Sequence, residues 1–198
     1  MAVMKFGGTS IGTITAMKRA IDIVTAERMR TAPVVVLSAC GGVTNKLIEI
    51  AESAGKSEVE KAIRLSGEIR AHHLELVDTL VQEPSRRESV ITAVMTYVSE
   101  LEELIKGVDI VGELTARSYD SFCSFGELLS TTVFCQALLD SGYEAEWVDM
   151  RRVMITDDTF SMARPFEEIC SKNAREVIPP LLDSGKIVVT QGFISATK

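Results

Sequence analysis

Twice within the first 42 residues an apolar run ends near a glycine pair that opens onto a helical pattern, and this repetition limits the fold more than any other feature of the chain. In the first instance Val3-Met4-Lys5-Phe6 leads into Gly7-Gly8. Thr13 is then placed to cap a helix whose apolar residues Ile14, Met17, Ile21 and Val24 recur at spacings of three and four. A single apolar stripe means that this helix packs on a sheet. Pro33 resets the chain, and Val34-Val35-Val36-Leu37 is a β-branched run suited to a strand buried on both faces. Strand, helix and strand in succession make a right-handed βαβ unit with parallel strands. The second strand leaves through Ser38-Ala39-Cys40-Gly41-Gly42, with Thr44 placed to cap the next helix. Both glycine loops therefore leave the same end of the sheet, where open α/β folds bind ligands. The expected class is α/β, a three-layer α/β/α sandwich around a mainly parallel sheet.

Such a rim suits a phosphate. Residues without Cβ let an anion approach main-chain N–H groups, and a following helix directs its N-terminal amides and the positive end of its dipole to the same spot. Lys5 adds a mobile full charge of the kind that neutralises oxygens growing more negative during phosphoryl transfer. The plainer alternative is a tight turn beside a solvated lysine, and the pattern matches neither G-x-x-x-x-G-K-[ST] nor G-x-G-x-x-G. Taken singly, Ser38 is equally a turn hydroxyl and Thr44 a helix cap.

From Ser57 to about Gly107 the pattern is helical, with Val59, Ile63, Ile69, Leu74 and Val77 on one face. Pro84 interrupts it before Ile91, Val94, Val98, Leu101 and Leu104 resume, so a helical hairpin is expected. His72 and His73 are adjacent, point about 100° apart on a helix and cannot ligate one metal as i, i+4 residues would. Ser124 with Glu127 three residues on forms a capping box that would start a helix running to Gly142, with Gly126 leaving space above its first turn. Tyr143 to Val148 is a short strand ended by Asp149. Asp157-Asp158 is a solvated turn. Phe166 to Leu182 is a helix ending near Pro179-Pro180 and Gly185, and Ile187 to Ile194 is a last buried strand.

The net charge of −7 carries no basic stripe, which argues against nucleic acid or an anionic membrane as partner. Cys40, Cys123, Cys135 and Cys170 show no metal spacing and are expected to be reduced thiols of a cytoplasmic protein. No signal peptide and no apolar run of bilayer-spanning length is apparent.

The run Lys5-Phe6-Gly7-Gly8-Thr9-Ser10 resembles the N-terminal motif of the aspartate kinases, within the amino-acid kinase family. Ser38-Ala39 with Gly41 and Thr44-Asn45, Phe125-Gly126-Glu127, and Trp147-Val148-Asp149 followed by Ile155 to Asp158 are similar to the same family in the same order. The resemblance implies transfer of the γ-phosphoryl of MgATP to the β-carboxylate of L-aspartate, the first step towards lysine, threonine and methionine. It implies that Lys5 is catalytic, that Lys5, Gly7, Gly8, Ser10, Gly41 and Gly42 hold phosphate, and that Ser38, Thr44 and Glu127 bind the amino acid, with no metal ligand in the chain. It further implies that residues 1–198 are the N-terminal, amino-acid-binding lobe, with the hairpin as an insertion. The nucleotide-binding lobe and regulatory domains would lie beyond, so the fragment alone would be inactive or nearly so, and the full-length protein a homo-oligomer. Two other readings stay open: a kinase of another carboxylate such as glutamate or acetylglutamate, and a non-catalytic binding or dimerisation module.

Overall fold

A computed structural model describes residues 2–197. Its centre is a four-stranded, wholly parallel sheet in the order β1 (Ala2–Phe6), β2 (Pro33–Leu37), β5 (Ile187–Gln191), β3 (Ala145–Val148). The register aligns Lys5 with Val36, Phe6 with Leu37, and Leu37 with Gln191. Since paired residues of neighbouring strands share a face, Met4, Phe6, Val35, Leu37, Ile187, Val189 and Gln191 look one way. Val3, Lys5, Val34, Val36, Val188, Thr190 and Val148 look the other.

Five helices lie on the first face: α1 (Ile14–Arg28), α2 (Val43–Gly55), α3 (Val59–Leu80), α4 (Pro84–Val111) and α5 (Ala116–Asp140). A single helix, α6 (Glu167–Asp183), covers the second, packing Val177, Ile178, Leu181 and Leu182 on Val34, Val148 and Val188. The three expected layers are present with very unequal thickness. β4 (Ile155–Thr156) and β6 (Ala196–Thr197) pair in parallel as a separate two-stranded sheet.

Local chemistry sets the helix ends. Thr13 caps α1 by accepting from the Ala16 amide at 3.2 Å. Glu83 caps α4 by accepting from the amides of Ser85 and Arg86, with Pro84 in the first turn where no N–H is needed. The hairpin of α3 and α4 thus matches the expected one and runs four residues further, to Val111. In α6 the helix passes through Pro179 and Pro180 instead of ending there. Both prolines are exposed, so the carbonyls they leave without an N–H partner turn to solvent.

The first correction concerns α5. Its cap is Thr115, whose hydroxyl accepts from the Ser118 amide at 3.1 Å, and Ser124 lies two turns inside the helix with its hydroxyl donating to the Ser121 carbonyl at 2.8 Å. Ser124 and Glu127 have capping-box spacing without its geometry. The second correction concerns length: α5 has 25 residues and is long and apolar enough to cross a bilayer, contrary to the expectation that no such run exists. It is the core helix instead, with 72% of its most apolar window buried and Phe122 and Phe134 wholly enclosed.

Candidate active site

The carboxyl ends of β1, β2 and β5 form one rim, tied together where the Ser38 amide donates to the Phe6 carbonyl at 3.1 Å and the Gly192 amide to the Leu37 carbonyl at 2.9 Å. The chain leaves β1 through a single 3₁₀ turn, Gly8–Ser10, and α1 begins only at Ile14. Thr13 caps α1 as expected, but the 3₁₀ turn stands between the helix and the first glycine pair, so the expectation that the N-terminal amides of α1 point to the phosphate spot is corrected. Ser10 lies exposed in that turn, its amide bonded to the Gly7 carbonyl at 2.9 Å.

The glycines divide into two kinds. A Cβ on Gly8 would lie 2.8 Å from the Ala39 carbonyl oxygen, and one on Gly12 would lie 2.7 Å from the Gly41 nitrogen. Gly8, Gly12 and Gly41 therefore allow the two loops to pack backbone on backbone. The Cys40 thiol joins them by donating to the Ile11 carbonyl at 3.4 Å; burial pushes its pKa up to about 12, so it stays a neutral donor. Gly7 and Gly42 are exposed, and a Cβ on either would meet nothing within 4 Å, so these two leave room at the rim. Gly42 has φ +83° and is itself the N-cap of α2. Thr44 is consequently inside the helix, exposed and not its cap.

Glu127 reaches the same rim from α5. Its Oε1 accepts from the Ala39 amide at 3.2 Å, its carboxylate also bonds the Ser38 hydroxyl, and only 8% of the residue is exposed. Burial holds its pKa above the usual carboxylate value, against the opposing pull of those hydrogen bonds. Gly126 explains how the helix comes so close, since a Cβ there would stand 2.6 Å from that of Ala39. The space expected above Gly126 is filled by the β2 exit loop.

Lys5 shares the rim and differs in face. Paired with Val36, it emerges on the α6 side of the sheet, where its Nζ lies 4.8 Å from the ring centroid of Phe193. Phe193 is 91% exposed with φ +60°. A ligand that touched both Lys5 and Glu127 would have to lie across the strand ends, above Leu37 and Ser38.

The amino acid kinase family model matches residues 1–198 in full. The chain belongs to this family. Among its curated relatives, lysine-sensitive aspartokinase 3 of Escherichia coli is 34% identical over 201 residues, covering 99% of this chain and 41% of that protein. The chloroplastic aspartokinase 1 of Arabidopsis thaliana is 34% identical over 196 residues, covering 97% and 33%. Among solved structures, E. coli aspartokinase III in complex with aspartate and ADP superposes with a TM-score of 0.85 at 30% identity, covering all of this chain and 42% of that one. The same enzyme with lysine and aspartate gives 0.86 at 29%. The amino acid kinase chain thus spans about two fifths of the E. coli relative's length.

Several residues of this family member's rim carry no sequence motif: Gly12, Ser130, Thr131, Trp147 as a donor, and Gln191. Ser130 donates to the Ser38 carbonyl at 2.8 Å across 92 positions of sequence. Only the third glycine, five residues after Gly7, was open to discovery from spacing.

Proposed function

We propose that the chain is the amino-acid-binding lobe of an aspartate kinase. It serves transfer of the γ-phosphoryl of MgATP to the β-carboxylate of L-aspartate, giving 4-phospho-L-aspartate and ADP. The observation that carries this reading is the Glu127 carboxylate. It is buried at a ligand-binding rim, and among the described residues no lysine, arginine or histidine forms an ion pair with it. The ammonium of an α-amino acid is the counter-charge that such a group lacks. Ser38 and Thr44 would orient the same substrate, and the open rim at Gly7 and Gly42, with the exposed Ser10 side chain, would face phosphate oxygens.

In the reaction a β-carboxylate oxygen attacks the γ-phosphorus while the bond from phosphorus to the β,γ-bridging oxygen breaks, leaving ADP. An aspartate carboxylate is ionised at neutral pH, so no general base is required. Positioning and charge neutralisation remain, and Lys5 would supply the second. Lys5 and Glu127 emerging on opposite faces of one rim suits a substrate held at its ammonium end on one side and phosphorylated at the other. The remainder of the nucleotide site would come from residues outside 1–198, so this lobe alone would turn over little or not at all.

The test is a hydroxylamine trap for acyl phosphate, run on the protein as its gene encodes it with L-aspartate, L-glutamate and N-acetyl-L-glutamate. Aspartate is expected to give the only substantial ATP-dependent product. Faster turnover of either glutamate compound would replace this substrate assignment.

A further inference from the structure

We propose that Thr131 and Gln191 are positioning residues for Glu127, fixing the turn of α5 that carries its carboxylate and thereby setting the affinity for L-aspartate. The proposal rests on the reading that Glu127 receives the substrate ammonium.

Gln191 ends an otherwise apolar-to-neutral strand, Ile187-Val188-Val189-Thr190-Gln191, between β2 and β3, and is 2% exposed. Its register with Leu37 turns it towards α5. Both ends of the buried amide are bonded: Oε1 accepts from the Met150 amide at 2.7 Å, and Nε2 donates to Thr131 Oγ1 at 3.1 Å. Because Met150 presents an N–H, the amide cannot be turned over. Thr131 is fully buried and accepts a second hydrogen bond from Trp147 Nε1 at 2.8 Å. An indole N–H and an amide NH₂ can only donate, and a hydroxyl has one proton and two acceptor sites. With both acceptor sites taken, the Thr131 proton is left to the carbonyls one turn back in α5, Glu127 at 2.7 Å and, more distantly, Leu128 at 3.3 Å.

One turn of α5 is therefore held from two sides. Ser130 ties it to the β2 exit, and Thr131 ties it to β3, β5 and the segment after β3. One helical turn before these anchors stands Glu127, whose carboxylate accepts from the Ala39 amide at 3.2 Å. Apolar residues of the same shape would fill this space, and removing a whole buried network in favour of apolar groups is often close to neutral for stability. The network's distinctive product is a fixed position, and a displacement of about 1 Å at a reacting centre can cost on the order of a hundredfold.

The test uses Thr131→Val, Gln191→Met, Thr131→Ser and Glu127→Ala in the protein as its gene encodes it. Melting temperature, calorimetric Kd for L-aspartate, and KM for L-aspartate and for MgATP are measured for each. Thr131→Val and Gln191→Met are expected to raise Kd and KM for aspartate about tenfold while KM for MgATP stays within about twofold, and Thr131→Ser to restore aspartate affinity to within about twofold. Unchanged aspartate affinity in the valine and methionine variants, equal losses for both substrates, failure of serine to rescue, or unfolding of both disruptive variants would each overturn the proposal in favour of a structural role. If Glu127→Ala weakens aspartate binding and the Thr131 and Gln191 variants do not, only the positioning claim falls. If Glu127→Ala leaves aspartate binding intact, the reading of Glu127 falls and takes the proposal with it.

Discussion

In the proposed function Lys5 and Glu127 are the two charges on which the rim depends, and they are expected to fail in different ways. Lys5→Ala removes a charge whose interaction strengthens in the transition state, so kcat should fall by about a hundredfold or more with KM little changed. Near-normal turnover would remove Lys5 from the chemistry. Glu127→Gln keeps the shape and an acceptor for the Ala39 amide while deleting a buried charge. Because burial raises the folded-state pKa above 4.5, the wild type is penalised wherever the group is ionised. The glutamine variant should therefore melt higher than wild type at neutral pH, with the gap closing as pH falls through the raised folded-state pKa towards 4.5 and absent below it, and should bind aspartate less well. A variant that melts lower at pH 7 would show that the hydrogen bonds outweigh desolvation. Both residues stand in short motifs and were legible in the sequence. Thr131 and Gln191 were not, since their bond joins positions 60 apart and neither has a local pattern to announce it.

At the scale of elements, β2, β5 and the first helix followed from β-branched runs, Pro33 and Thr13, which act within a few residues of where they stand. The two-residue strands β4 and β6 have no such local signal, and β4 falls where a turn was expected. The start of α5 was misplaced because Ser124 and Glu127 imitate a cap, and only the structure shows Thr115 holding the Ser118 amide. The glycine loops carry the sharpest prediction here. Gly12→Ala would drive a methyl into the Gly41 backbone and should cost about 1–3 kcal/mol in denaturant unfolding while prising the loops apart. Gly7→Ala meets no atom within 4 Å and has φ −80°, so stability should be almost unchanged. If Gly7→Ala nonetheless weakens nucleotide binding, the lost space belonged to the ligand; equal stability losses at the two positions would contradict the division into packing and open glycines.

For the whole molecule, the layering was readable from the alternation of strand and helix, whereas the placement of β5 between β2 and β3 was not, because strand order depends on contacts far apart in sequence. The thick helical side also holds His73, fully buried, its Nδ1 donating to the Ile69 carbonyl at 2.8 Å. Burial lowers its pKa to about 4 from 6.5, so the unfolded chain binds the extra proton first and stability should fall as pH drops through that interval. The loss reaches about 3 kcal/mol near pH 4, and His73→Leu should flatten it in urea titrations between pH 6.5 and 4; an unchanged slope would place the acid sensitivity elsewhere. Trp147 is the one tryptophan in the sequence, and its indole N–H is bonded into the turn that carries Glu127. Residues 1–198 thus carry a built-in optical reporter: a shift of that turn would alter the surroundings of their one indole, whose emission can be followed in real time without a label.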